Sequence, residues 1–173
     1  MHGDGLGDGP SAVPVWTIEV ERGDAKDVMD SIISRAAESG ATVLVLDGRM
    51  VFGSDHVASA AFHARRAIAE GRNASDSLLM ETLLYASGER QLSSAIGKMS
   101  VSESTTCVAL ALLSGERFDP GEDWREMNRK PSEPDLESLR RFGVGAEEMT
   151  TVGPERASEL VLERVAAVDI IKK

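Results

Sequence analysis

A chain of 173 residues has room for one domain with a proper core and not for a second independent one. Aromatic residues are only 4%, so that core has to be aliphatic. The formal net charge of −10 excludes a protein that is basic throughout, but the charge is uneven: −6 over residues 1–48, +1 over 49–98 and −5 over 99–173. Phosphate binding needs cations that replace condensed counterions, and only the middle third would not repel an anion.

Residues 1–12 carry four glycines and few apolar side chains, so burial cannot offset the ordering of the backbone. A disordered head over 1–12 is expected, with a single domain over 13–173. Residues 13–20 read as a strand, Val13, Val15, Thr17 and Glu19 alternating with Trp16, Ile18 and Val20. Asp24 is placed to cap a helix reaching Ser39, with Val28, Ile32, Ile33 and Ala36 as its stripe and Gly40 as its stop. Residues 42–46 are a short apolar run, the pattern of a strand covered on both faces. A helix over 54–70 follows, with Val57, Ala60, Ala61, Ala64 and Ile68 inward. Asn73 or Ser75 is expected to cap the next, whose Leu79, Met80, Leu83, Leu84 and Ser87 share a face before Gly88. Residues 89–99 give a short helix with Leu92, Ala95, Ile96 and Met99 along one side, and 105–113 a further buried strand. Residues 114–134 read as a loop holding a helical turn at 124–128. A short helix over 136–142 and a last one starting at Pro154 complete the chain. The predicted class is α/β (α+β): one compact domain, a small central mixed sheet flanked by several helices.

No segment reaches the roughly 18 consecutive apolar residues of a membrane span, and the start lacks the basic-then-apolar layout of a signal peptide. Cys107, the only cysteine, has no intramolecular partner and sits in an apolar run, where a thiol packs as a small hydrophobe. The expected location is cytoplasmic.

Neither a catalytic constellation nor a metal or cofactor site emerges. His56 and His63 are seven apart, whereas a zinc-binding helix needs ligands at i and i+4 and a further one elsewhere. What stands out is an apolar surplus: three consecutive helices between 57 and 99, each with its own stripe, when two would cover one face of a small sheet. Met80, Leu84, Leu92, Ile96 and Met99 are the candidates for a protein partner, the alternative being that all of them fill the core.

The same region carries a resemblance. The run ARRAIAEGRNASDSLLMETLLYASGERQLSSAIGKM, residues 64–99, contains Leu83-Leu84-Tyr85-Ala86-Ser87-Gly88-Glu89-Arg90-Gln91 followed by Ala95-Ile96. Phe52-Gly53, His56 and the ending Leu162-Glu163-Arg164-Val165-Ala166-Ala167-Val168-Asp169 fit with it. Together these resemble the kinase-binding subunit of the KEOPS (EKC) complex, the TPRKB / PRPK-binding CGI protein family, in its archaeal-type form. The resemblance implies a non-catalytic accessory subunit that binds the small kinase/ATPase subunit and the 3' CCA end of tRNA, in support of N6-threonylcarbamoyladenosine modification. On that reading the kinase interface lies on the apolar faces of 77–87 and 89–99, Leu92 and Ile96 foremost. The tRNA end falls to His63, Arg65, Arg66, Arg72, Arg90 and Lys98, with Asn73, Ser75 and Gln91 reading the bases, since single strands are held by basic side chains and hydrogen bonds. The rival reading is a stand-alone enzyme or small-molecule-binding α/β domain, whose mark would be a deep cavity with His56, His63 and Asp47 converging.

Overall fold

The computed structural model describes residues 9–115, 118–131 and 134–172. Most of the expected head, residues 1–8, lies outside the described residues, and residues 9–12 are exposed and without regular structure.

The chain runs β1 (Val15–Glu19), α1 (Ala25–Ser39), β2 (Thr42–Asp47), a 3₁₀ turn (Gly48–Met50), α2 (Ser54–Ala69), α3 (Leu78–Ser87), α4 (Leu92–Met99) and β3 (Cys107–Ser114). There follow β4 (Arg125–Glu126), α5 (Leu136–Phe142), α6 (Ala146–Val152), a 3₁₀ turn (Pro154–Arg156) and α7 (Ala157–Ile171). This is a compact α+β fold. The sheet order is β2-β3-β1-β4, and every pairing is antiparallel, which corrects the mixed sheet expected from sequence. β1, α1 and β2 do form a strand-helix-strand crossover, but β3 inserts between the two strands and runs against both. Periodicity gives a strand its buried faces; it does not say which strand becomes its neighbour.

Alternation along the strands divides the core in two. Val15, Leu44, Leu46, Ala109, Ala111 and Leu113 face the larger layer, built from α2, α3, α4, α5 and α7. Val43 and Leu110 face the other side, where Ile32 and Ala36 of α1 cover them. Ile33, placed by periodicity in the α1 stripe, is instead 45% exposed, because a single helix over three strands needs only a narrow strip.

Three further differences have local causes. The segment expected to turn helically at 124–128 instead adds β4 to the bare edge of β1, where Met127 N–H donates to Val15 O at 2.7 Å; an open strand edge leaves backbone groups in want of partners. The cap of α3 is Ser77, whose hydroxyl accepts from Met80 N–H, rather than Asn73 or Ser75. Helix α6 buries none of its seven residues fully; Met149 and Val152 only lean on the core, a stripe too short to read as a helix from sequence.

Gly53 seats the start of α2. Its φ is +94° and a Cβ there would lie 2.2 Å from Arg129 O, so both its conformation and the close approach of residues 128–129 require glycine. The carbonyls of Asn128 and Arg129 accept from Ser54 and Asp55 N–H, supplying partners to the otherwise orphaned first turn of the helix.

Candidate functional site

The segment Leu83–Gln91 forms the end of α3 and the turn into α4, and from Tyr85 to Glu89 its polar side chains are held. Tyr85 donates its hydroxyl to Asp169. Ala86 O accepts from His56 Nε2 at 2.7 Å, and Ser87 O from Lys98 Nζ at 2.7 Å. Ser87 Oγ donates to Leu84 O and accepts from Glu89 N–H. Gly88 closes the helix in the left-handed conformation at φ +69°, its missing side chain leaving room for Arg164 of α7, whose Cβ would meet an added Cβ at 2.9 Å. The two separate stretches of sequence that carry the resemblance therefore touch: α7 supplies both the acceptor for Tyr85 and the surface against Gly88.

His56 is fully buried between the rings of Phe52 and Phe142. Its Nδ1 accepts from Phe52 N–H at 3.1 Å, which fixes the neutral tautomer with Nε2 as donor to Ala86 O. Burial is the main reason its pKa falls from 6.5 to about 4. The unfolded chain thus binds a proton near pH 6.5 that the folded chain refuses until about pH 4, so stability falls as pH drops through that window. The loss approaches about 3 kcal/mol at the acid end, at 1.36 kcal/mol per unit. A His56→Gln variant, with a side chain able both to accept and to donate, is expected to show a shallower fall in urea-unfolding free energy between pH 6.5 and 4. An identical slope in both proteins would remove His56 as the cause.

Around Asp169 the structure gathers three of the predicted basic residues. Arg72 Nη1 donates to Oδ1 at 3.1 Å, while His63 and Arg66 approach Oδ2 at 3.3 and 3.6 Å. Burial raises the Asp169 pKa, but the bonds from Tyr85 and Arg72 outweigh it and hold the carboxyl below its usual value. Burial, then the same carboxylate, pushes the Tyr85 phenol up. Arg72 also pairs with Glu70 at 2.6 Å, so its charge is met twice within the chain. Arg65 lies apart, donating to Leu113 O at 2.6 Å.

Asn73 and Ser75 are occupied inside the loop between α2 and α3. Asn73 donates to Ser75 O, and Ser75 Oγ accepts from Ser77 N–H. Lys98, besides bonding Ser87 O and Glu89, stands 3.8 Å over the Phe142 ring, and its burial lowers its pKa. Arg90 and Gln91, by contrast, are exposed. Arg90 has no hydrogen-bond or ion-pair partner among the described residues, so the helix-end bond to a carbonyl that such an arginine often makes is not present.

The predicted apolar set divides as well. Leu84 and Met99 are 1% and 0% exposed and belong to the core, which removes them from any surface interface. Met80 and Leu92 are half-buried at the edge of that core. Ile96 is 40% exposed. It is flanked on the outer face of α4 by exposed Ser93, Ser94 and Gly97, and a Cβ added at Gly97 would meet nothing within 4 Å. The face is low, with one apolar side chain standing on it.

Sequence reading missed Glu81 altogether. It is 0% exposed, accepts from Ala74 and Ser75 N–H at 2.9–3.1 Å and pairs with Lys172 Nζ at 2.7 Å. A lone glutamate in an apolar helical run was the available signal. The convergence of His56, His63 and Asp47 expected of an enzyme does not form. His56 is interior and His63 lies on the Asp169 cluster. Asp47 borders a cleft at the far end of β2, and the clefts of about 300, 620 and 380 Å³ are lined by neither histidine. Among the described residues, no three His, Cys, Asp or Glu side chains are grouped as metal ligands, and no helix is long and apolar enough to cross a membrane. Cys107 is buried at the start of β3, its thiol pushed up to about 11, chiefly by burial.

A family model described as kinase binding protein CGI-121 matches residues 21–140, well over half of the chain. The protein belongs to that family. The match spans β1's exit through most of α5, including His56, the Leu83–Gln91 turn and Ile96, and stops short of α7. Comparison with curated proteins finds no match.

Proposed function

We propose that this chain is the non-catalytic accessory subunit of a KEOPS-type complex. It binds the small kinase/ATPase subunit through the outer face of α4, and the 3' CCA end of tRNA through the neighbouring α3–α4 turn, in support of N6-threonylcarbamoyladenosine modification in the cytoplasm. The observation that carries the reading is Ile96, a large aliphatic side chain left 40% exposed on a face of small residues, in a member of a kinase-binding family. Helix faces of this kind take an apolar groove or a second helix. Leu92 and Met80, half-buried beside the core, extend the apolar contact.

For RNA, the support is electrostatic. Residues 49–98 are the one stretch without net negative charge, and Arg90 and Gln91 are exposed with Arg90 free of carboxylates among the described residues. Arg66 and Arg72 share Asp169 and Glu70 and offer phosphate less. Affinity capture with the full chain from native extract is expected to recover a small kinase/ATPase; recovery of a metabolite and no such protein would sink the proposal. tRNA should bind, and tRNA lacking its CCA end should not. Arg90→Glu is expected to weaken that binding and to lower the slope of log affinity against log salt by about one, whereas unchanged slope would move the RNA contact elsewhere.

A further inference from the structure

The loop between α2 and α3, residues 70–77, has no apolar anchor. Its one apolar side chain, Ala74, is exposed, and residues 73–76 make no backbone-to-backbone hydrogen bond among the described residues. The N–H groups of Ala74 and Ser75 are instead taken by the Glu81 carboxylate at 2.9–3.1 Å. Ser77 N–H and the Asn73 amide are met by Ser75, inside the loop itself. The order of the loop therefore rests on Glu81, and Glu81 is fixed from α7, where Lys172 Nζ lies 2.7 Å from its Oε1. A second tie runs from Arg72 to Asp169 at 3.1 Å.

The last turn of α7 is held in the same manner. The last buried apolar side chain of that helix is Val168; beyond it Ile170 is 75% exposed and Ile171 is exposed too. The inward contacts of the turn are polar, Asp169 to Tyr85, Arg72 and His63, and Lys172 to Glu81 with its ammonium 4.6 Å over the Tyr85 ring. Segments with few buried apolar contacts open at free energies below that of global unfolding. Here opening returns Lys172 and Glu81 to water, which recovers their hydration against the loss of their attraction. It stops on both sides where apolar packing resumes, at Val168 on α7 and at Leu83 and Leu84 on α3.

We propose that the last turn of α7, residues 169–172, is a polar latch on the α2–α3 loop: the two open and close together, without unfolding of the domain. Opening releases Arg72 from Asp169 and the Ala74 and Ser75 N–H groups from Glu81, so what the loop can contact is set by the state of the turn. The latch consists of contacts within the chain and stands whether or not RNA binds there.

Native-state hydrogen exchange of the full chain, read residue by residue by NMR across urea concentrations below the unfolding transition, tests it. The amides of Ala74, Ser75 and Lys172 are expected to share one opening, with protection at least about tenfold below that of the β3 amides. Their exchange should also depend less on urea, because a small opening exposes little surface. A chain shortened after Val168 is expected to unfold cooperatively still, with Ala74 and Ser75 exchanging at least about tenfold faster than in the parent. Ile170→Ser, at an exposed position in the same turn, should leave the loop unchanged. If the shortened chain does not fold, exchange in the parent decides. Unequal protection of loop and turn, a urea dependence equal to that of β3, or loop protection retained after shortening would overturn the proposal.

Discussion

Ile96→Glu is expected to abolish co-purification with the kinase, weakening binding by at least about 100-fold, while the melting temperature of the isolated chain stays within about 2 °C of the parent. Burying a carboxylate in an apolar contact without a partner costs several kcal/mol, and a residue that anchors the middle of an interface carries a large share of its energy. In the free protein the same side chain is 40% exposed, and substitutions at such positions usually change stability by no more than about 0.5 kcal/mol. Ile33→Glu is the matched control: Ile33 is 45% exposed on α1, across the sheet from α4, and its replacement should leave capture intact. Equal loss in both variants, or unfolding of Ile96→Glu, would place the interface elsewhere.

The second large effect is on stability. Glu81→Ala is expected to lower the unfolding free energy by roughly 3–5 kcal/mol, the range for breaking a buried ion pair from one side, and the melting temperature by about 10 °C. The carboxylate meets three donors at once, Lys172 Nζ and the N–H groups of Ala74 and Ser75. Its removal strands a lysine whose side chain is only 5% exposed and leaves two backbone donors unmet. The charge-swapped protein, Glu81→Lys with Lys172→Glu, should not recover the loss, because a lysine at 81 has no acceptor to offer the loop. Full recovery by the swap would show that the pair acts through charge alone.

The contrast between these two positions shows what the sequence makes legible. Ile96 was readable because a short amphipathic helix beside a glycine turn presents its apolar residues in a fixed order, and the helices over 54–69 and 136–142 were readable for the same reason. Leu84 and Met99 carry the same pattern as Ile96 yet lie in the core: periodicity gives the side of a helix, and only the neighbouring α2 and α7 decide how far round it the core extends. Glu81, Lys172 and Asp169 could not be paired from sequence, because their partners are 84–106 residues away and depend on where α7 docks. The basic residues were chosen by charge, which does not distinguish one arginine from another. Arg90 has no ion-pair partner among the described residues, while Arg72 is neutralised by two carboxylates whose positions only the fold reveals.

Lys172 and Glu81 are 91 residues apart, and during synthesis that distance is a delay. At about 5–20 residues per second, roughly 5–18 s pass between the ribosome adding the glutamate and adding the lysine that completes its pair. Over that interval Tyr85 lacks Asp169, Gly88 lacks the surface of Arg164, and the apolar side of α3 that α7 will cover stands open. Until α7 is made, the nascent chain therefore presents an apolar surface that the folded domain covers, and a binding partner that met it then would meet a different surface.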